Sequence, residues 1–214
     1  MKQVGLLLAR LLFVALLSAI SIFAGGAIFM QRPVGIVFLT LFVSWLLLTV
    51  IGRPIGSPSK YNRSQRIVVA LGSLALIPIV LAPWEYTHFS GPIPRDGLLS
   101  WVGLALFGGG IAFQAAAMLA LQGMYTLRLG VGTAHRLVTR GPYWVVRHPG
   151  YLSNIVEMFG IALALSSLIA LSAAFLVIPL LLQRIKDEDT MLSKEFPEYN
   201  TYAGRTKRLV PFIW

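Results

Sequence analysis

The sequence contains no cysteine. That excludes disulfides, thiolate metal sites and a thiol nucleophile, and it leaves the redox compartment unread. Charge is scarce as well: Asp, Glu, Lys and Arg make up 12% of 214 residues, and 8 acids stand against 18 Lys and Arg. No internal repeat, low-complexity tract or soluble domain is visible. What fills the chain is apolar, with 57% hydrophobic residues and a mean hydropathy of +0.76. That composition lies outside the range of soluble globular domains and identifies a polytopic membrane protein. A basic balance can signal nucleic acid, but here the cations sit in short loops between apolar runs. Such placement fits the positive-inside rule and an anionic membrane surface, so no nucleic-acid partner is expected.

A bilayer core of ~30 Å needs about 20 helical residues. Apolar runs of that order cover residues 4–30, 33–51, 67–83 and 98–121, separated by Q-R-P, by GRPIGSPSKYNRSQR and by PWEYTHFSGPIPRDG. The first run resembles a signal peptide near Ala24 to Ala27, but Arg10 interrupts it, and a retained helix is expected. The loop from Gly52 to Arg66 carries Arg53, Lys60, Arg63 and Arg66 without an acid, and that from Gln122 to Gly150 carries four arginines without one. The loop between them mixes Glu85, Arg95 and Asp96. This alternation predicts cytoplasmic N- and C-termini. From Tyr151 to Gln183 the single charge is Glu157. One helix of that length would reach ~50 Å, so two helices meeting near Leu165-Ser166-Ser167 are expected. The chain then reads as all-α, with about six transmembrane helices, the last two a hairpin that need not span fully. Residues 1–121 form a four-helix N-terminal part and residues 122–214 a C-terminal core, without a Rossmann domain.

The hairpin brings Arg147-His148 and Arg184 to Asp189 to one membrane face. In R-H-P-G-Y, Pro149 suits the first turn of a helix, where its missing N–H is not needed. The stretch reads either as a helix start anchored by Arg147 or as one wall of a polar pocket lined by His148, Tyr151 and free backbone N–H groups. Arg184 and Glu188 are four residues apart on one helix face, in the order less favourable for helix stability. They form a surface ion pair, or they bind separate parts of a zwitterionic ligand. His135 precedes an extended run, Leu137-Val138-Thr139, able to offer backbone groups to a flat heterocycle. Glu157 is an intramembrane carboxylate and Asn154 lies three residues before it. They are either a functional pair or a structural hydrogen bond between helices. Gly108-Gly109-Gly110 is expected to permit close helix packing, and Gly130-Val131-Gly132 lacks the strand-to-helix context of a dinucleotide motif.

The ordered set H-R-L-V-T-R-G-P-Y (His135 to Tyr143), R-H-P-G-Y (Arg147 to Tyr151), R-I-K-D-E-D-T-M-L (Arg184 to Leu192), E-F-P-E-Y-N-T-Y (Glu195 to Tyr202) and R-L-V-P (Arg208 to Pro211) resembles the isoprenylcysteine carboxyl methyltransferase family, within a wider group that includes phospholipid methyltransferases. The resemblance implies a membrane enzyme using S-adenosylmethionine. By resemblance, the cofactor contacts fall on His135, Arg136, Leu137, Val138, Tyr143, His148, Pro149, Gly150, Tyr151 and Glu188, and Arg184 contacts the substrate. Arg184 and Glu188 are then the catalytic pair, with Asn154 and Glu157 as further substrate candidates. No metal is implied. Departures are Asp189 where relatives often carry a second glutamate, Tyr125-Thr126 for a Trp-Ser pair, and Glu157 and Asn154 for bulky apolar residues.

The expected acceptor is lipophilic and enters from the bilayer, with an isoprenylcysteine-like carboxylate favoured. The alternatives are a phospholipid or other lipophilic amine or thiol, an NADPH-dependent sterol-reductase-like enzyme, and a non-catalytic lipid-binding protein.

Overall fold

A computed structural model describes residues 2–51, 67, 70–71, 74, 78, 81–92, 94–121 and 136–211, with side chains from residue 7 onward. The basic loop 52–66, His135, Tyr125-Thr126 and Gly130-Val131-Gly132 lie outside the described residues. The described residues form helices α1 (Lys2–Gln31), α2 (Pro33–Ile51), α3 (described over 81–88), α4 (Leu98–Ala120), α5 (Pro142–Val145), α6 (Pro149–Ala164), α7 (Leu168–Glu195) and α8 (Tyr199–Arg205). Four of them, α1, α2, α4 and α7, are long and apolar enough to cross a membrane. Large apolar side chains such as Leu12, Leu16 and Phe23 face outward, as they should in a protein solvated by lipid. The chain is an integral membrane protein.

The expected hairpin is present. Its turn at residues 165–167 uses Ser166 at φ 49°, and the side chain of Ser167 caps α7 by accepting from the N–H of Ala170 at 2.9 Å. The first arm, α6, has 16 residues. At ~1.5 Å per residue that is ~24 Å, short of the bilayer core. The second arm, α7, runs past Gln183 to Glu195. The R-I-K-D-E-D stretch is therefore helical, which stacks Arg184 and Glu188 on one face. The apolar run expected to end at Pro83 also continues as helix to residue 88. The extra turn is held by tertiary contacts, because the carboxylate of Glu85 accepts from the backbone N–H of Leu168 and Ile169, both at 3.1 Å, and from Ser167 Oγ. Orphan N–H groups at the start of α7 are thereby satisfied from another helix.

Small residues let α4 and α6 approach closely. A Cβ at Gly103 would meet the backbone of Ala164 and Gly160, one at Gly160 would lie 2.6 Å from the Phe107 nitrogen, and one at Gly110 would lie 2.6 Å from Glu157 Cγ. Of the Gly108-Gly109-Gly110 run only Gly110 serves this contact, since a Cβ at Gly109 has nothing within 4 Å. Buried aromatics tie the other helices together: Phe38 stacks on Phe42 at 5.9 Å and on Phe107 at 5.8 Å, and Phe29 meets Tyr86 edge-on at 5.5 Å. Arg32, between α1 and α2, pairs with Asp96 at 2.9 Å, and Tyr86 donates to the same carboxylate at 3.0 Å. The connections at residues 31–33, 83–97 and 165–167 thus gather at one end of the bundle. The motif residues gather at the other.

Candidate functional site

Pro149 opens α6, with His148 at its N-cap, and the His148 carbonyl accepts from the N–H groups of Tyr151 and Leu152, both at 3.1 Å. This places His148 and Tyr151 one helical turn apart, with ring centroids 5.7 Å apart. Facing them are the last turns of α7. Tyr151 Oη donates to Glu188 Oε2 at 2.7 Å and accepts from Arg184 Nε at 2.8 Å. Arg184 is buried, 4% exposed, where the apolar part of α7 gives way to its charged last turns. Glu188 keeps about a quarter of its side chain accessible, at 26%. The i,i+4 spacing of Arg184 and Glu188 therefore does not act as a surface ion pair. Both residues are joined through the phenol of Tyr151, and the Glu188 carboxylate is left partly accessible.

Asp189 is the junction of the site. Its Oδ1 accepts from His148 Nε2 at 2.8 Å and from Tyr199 Oη; its Oδ2 accepts from Arg208 Nε at 2.7 Å and lies 4.0 Å from Arg147. These partners come from three parts of the chain: the start of α6, α8 and the C-terminal segment. Backbone bonds reinforce the junction, with Arg147 N–H donating to the Lys207 carbonyl at 2.8 Å and His148 N–H to the Arg208 carbonyl at 3.1 Å. Arg147, expected as a helix anchor, turns its guanidinium toward Asp189. Tyr202 Oη closes the far side by donating to the Tyr143 carbonyl at 2.5 Å. Burial pushes the Tyr202 phenol up to about 12, with Asp189 adding to the rise and Arg147 opposing it, and burial also raises that of Tyr199.

The other expected site residues divide. Pro149 and Gly150 are buried at the start of α6, and Tyr143 lies on α5, which follows Gly141 at φ 63°, a conformation natural to glycine. Arg136, Leu137 and Val138 lie in a segment without helix or strand, with Val138 buried and Arg136 exposed. Asn154 and Glu157 do not join the cluster. Asn154 Oδ1 accepts from Gln114 Nε2 at 3.2 Å and Glu157 Oε2 accepts from Trp45 Nε1 at 2.9 Å, so they bond α6 to α4 and α2. Sequence reasoning missed Asp189 as a hub, along with Tyr199, Arg208, Trp45 and Gln114. The available signals were the single amide, Gln114, inside an apolar run and the tyrosine and arginine of the last two motifs.

Residues 101–194 match the model of the "Isoprenylcysteine carboxyl methyltransferase (ICMT) family". The match begins inside α4, earlier than the motifs from His135 onward, and ends at Lys194, just before E-F-P-E-Y-N-T-Y begins. The chain is 40% identical over 151 residues to the "Nickel-cobalt-cadmium resistance protein NccN" of Alcaligenes xylosoxydans xylosoxydans, covering 68% of this chain and 62% of that protein. It therefore spans about three-fifths of that relative's length. It is 26% identical over 159 residues to the "Protein-S-isoprenylcysteine O-methyltransferase B" of Arabidopsis thaliana, covering 72% of this chain and 81% of that one. The solved structure of a eukaryotic intramembrane Ras methyltransferase, ICMT, superposes with a TM-score of 0.60 at 19% identity, covering 95% of this chain and 75% of that one. That likeness concerns the fold, and the motifs and the family model concern the sequence. Over residues 101–194, which hold R-H-P-G-Y and R-I-K-D-E-D, this chain is similar to the isoprenylcysteine carboxyl methyltransferase family.

Proposed function

We propose that the protein is an integral-membrane methyltransferase that uses S-adenosylmethionine and acts on a lipophilic acceptor, with an isoprenylcysteine-like carboxylate as the favoured class. The observation that carries this reading is the Arg184–Tyr151–Glu188 chain, which holds a buried guanidinium and a partly open carboxylate in fixed relation where α6 begins and α7 ends. Such a donor set suits a zwitterionic ligand, because a carboxylate binds an ammonium and a guanidinium binds an anion. Glu188, Tyr151, His148, Tyr143 and the backbone of residues 136–138 would hold the cofactor, and His135 is assigned there by resemblance alone. Bound S-adenosylmethionine supplies an electrophilic methyl group.

Arg184 would orient an anionic acceptor arriving sideways from the lipid, while the apolar walls exclude water. Positioning and desolvation of this kind lower a barrier without a covalent intermediate. A carboxylate acceptor needs no strong base. An amine acceptor would, and Glu157 is committed to Trp45 in the α2–α6 contact, which favours the carboxylate. The charge pattern supports cytoplasmic termini, with the cofactor entering from that side. The resistance name of the Alcaligenes relative suggests a cellular role in metal tolerance exercised through the product of methyl transfer.

The test is binding of S-adenosylhomocysteine to purified full-length protein in nanodiscs, followed by methyl transfer from labelled S-adenosylmethionine to N-acetyl-S-farnesylcysteine. Glu188→Ala should weaken cofactor binding by about tenfold or more, and Tyr151→Phe by a similar factor, each losing a hydrogen bond to a charged group. Absence of binding by the wild type, or unchanged binding by Glu188→Ala, overturns the reading.

A further inference from the structure

The geometry points to Asp189 as the positioning residue of this site: it fixes the ring of His148 as the Nε2–H form, so that Nδ1 is presented as an acceptor beside Glu188, and it ties that state to docking of the C-terminal segment. The inference rests on the cofactor reading above and names how the pocket selects its ligand.

An ionised carboxylate only accepts hydrogen bonds. With Oδ1 of Asp189 at 2.8 Å from His148 Nε2, that nitrogen carries a proton and donates it. In the neutral ring the remaining nitrogen, Nδ1, is then an acceptor, and it lies 3.9 Å from Glu188 Oε2. An acceptor nitrogen and a carboxylate oxygen side by side form a site for a group rich in donors and positively charged, such as an ammonium. With the proton on Nδ1 instead, the same ring would place a donor there and compete with that ligand for Glu188. The choice between the two forms is made by Asp189, whose own side chain is 12% exposed.

The same carboxylate receives Tyr199 from α8 and Arg208 from the segment beyond it. That segment also accepts from the His148 backbone N–H through the Arg208 carbonyl at 3.1 Å. The histidine is therefore gripped at backbone and ring by one stretch of chain, directly at the first and through Asp189 at the second. Undocking residues 199–208 removes two of the donors that hold the Asp189 carboxylate and the backbone bond of His148, without touching Glu188 or Arg184.

The experiment uses full-length protein in nanodiscs with 15N-labelled histidine, the His148 signals being identified by their loss in His148→Gln. The wild type should show a protonated Nε2 and an unprotonated Nδ1. Asp189→Ala should lose this pattern and bind S-adenosylhomocysteine about tenfold or more weakly, the cost of one charge-assisted bond. Asp189→Glu should recover part of both. Asp189→Asn, a neutral acceptor, serves if the alanine variant does not fold, and should show mixed ring forms with intermediate affinity. Retention of the Nε2–H pattern and of wild-type affinity in the alanine variant, or in the asparagine variant where that one is used, overturns the proposal. If the wild type binds no S-adenosylhomocysteine, the cofactor reading falls. The ring spectrum still decides the positioning role: an Nε2–H form lost in Asp189→Ala supports it, and mixed forms in the wild type sink it.

Discussion

The indole N–H of Trp45 donates to Oε2 of Glu157 at 2.9 Å, joining α2 to α6 across 112 residues of sequence. A carboxylate inside a membrane helix is a functional candidate by default. Here its partner, with Gly110 packed against its side chain, makes it a fastener between helices. In a double-mutant cycle, Trp45→Phe and Glu157→Gln should couple by about 1 kcal/mol in thermal or denaturant unfolding, the usual scale for interhelical hydrogen bonds in membranes. Additive effects of the two changes would contradict this role.

The α4–α6 contact should tolerate no side chain at Gly103. Its Cβ would press on the backbone of α6, which cannot rotate away, so Gly103→Ala should destabilise by about 1–3 kcal/mol. Gly109→Ala, where nothing lies within 4 Å, should be neutral or slightly stabilising through helix propensity. Equal melting temperatures for the two variants would show that the close approach is not where the structure places it.

Glu85 holds the start of α7 from a different helix. Glu85→Ala leaves the N–H groups of Leu168 and Ile169 and the hydroxyl of Ser167 without that acceptor, at a cost of about 1–3 kcal/mol. Amide hydrogen exchange should accelerate at residues 168–170 first, while exchange near Arg184 changes little. Uniform acceleration along α7 would argue against a local cap.

Burial raises the Tyr202 phenol from 10.0 to about 12, so the folded state favours its neutral form. The linked stability is complete below pH 10.0 and is lost as pH rises through about 12. The thermal midpoint of the wild type should therefore carry a decline across that alkaline window, and Tyr202→Phe should lack that component. Identical pH profiles for the two proteins would refute it.

Much of the site was legible because its motifs are local and ordered. R-H-P-G-Y announces a helix start through Pro149, and the spacing of Arg184 and Glu188 places them on one face whenever that stretch is helical. The hairpin followed from length alone, since a single helix from Tyr151 to Gln183 would overrun the bilayer. The helical continuation past residue 83 was not legible. The Pro-Trp-Glu stretch looks like a helix end, and contacts from Glu85 to the start of α7 accompany its extra turn.

Composition and periodicity by themselves determined that the chain lies in a membrane, where its apolar runs fall, and that two polar motifs meet at one end of a hairpin. These follow from hydropathy, helix rise and bilayer thickness, which act along the chain. The tertiary structure alone decided that Glu157 and Asn154 fasten helices and that Asp189 gathers His148, Tyr199 and Arg208. A buried polar group must find a partner wherever the fold brings one within reach, and that partner is separated from it by no fixed spacing in sequence.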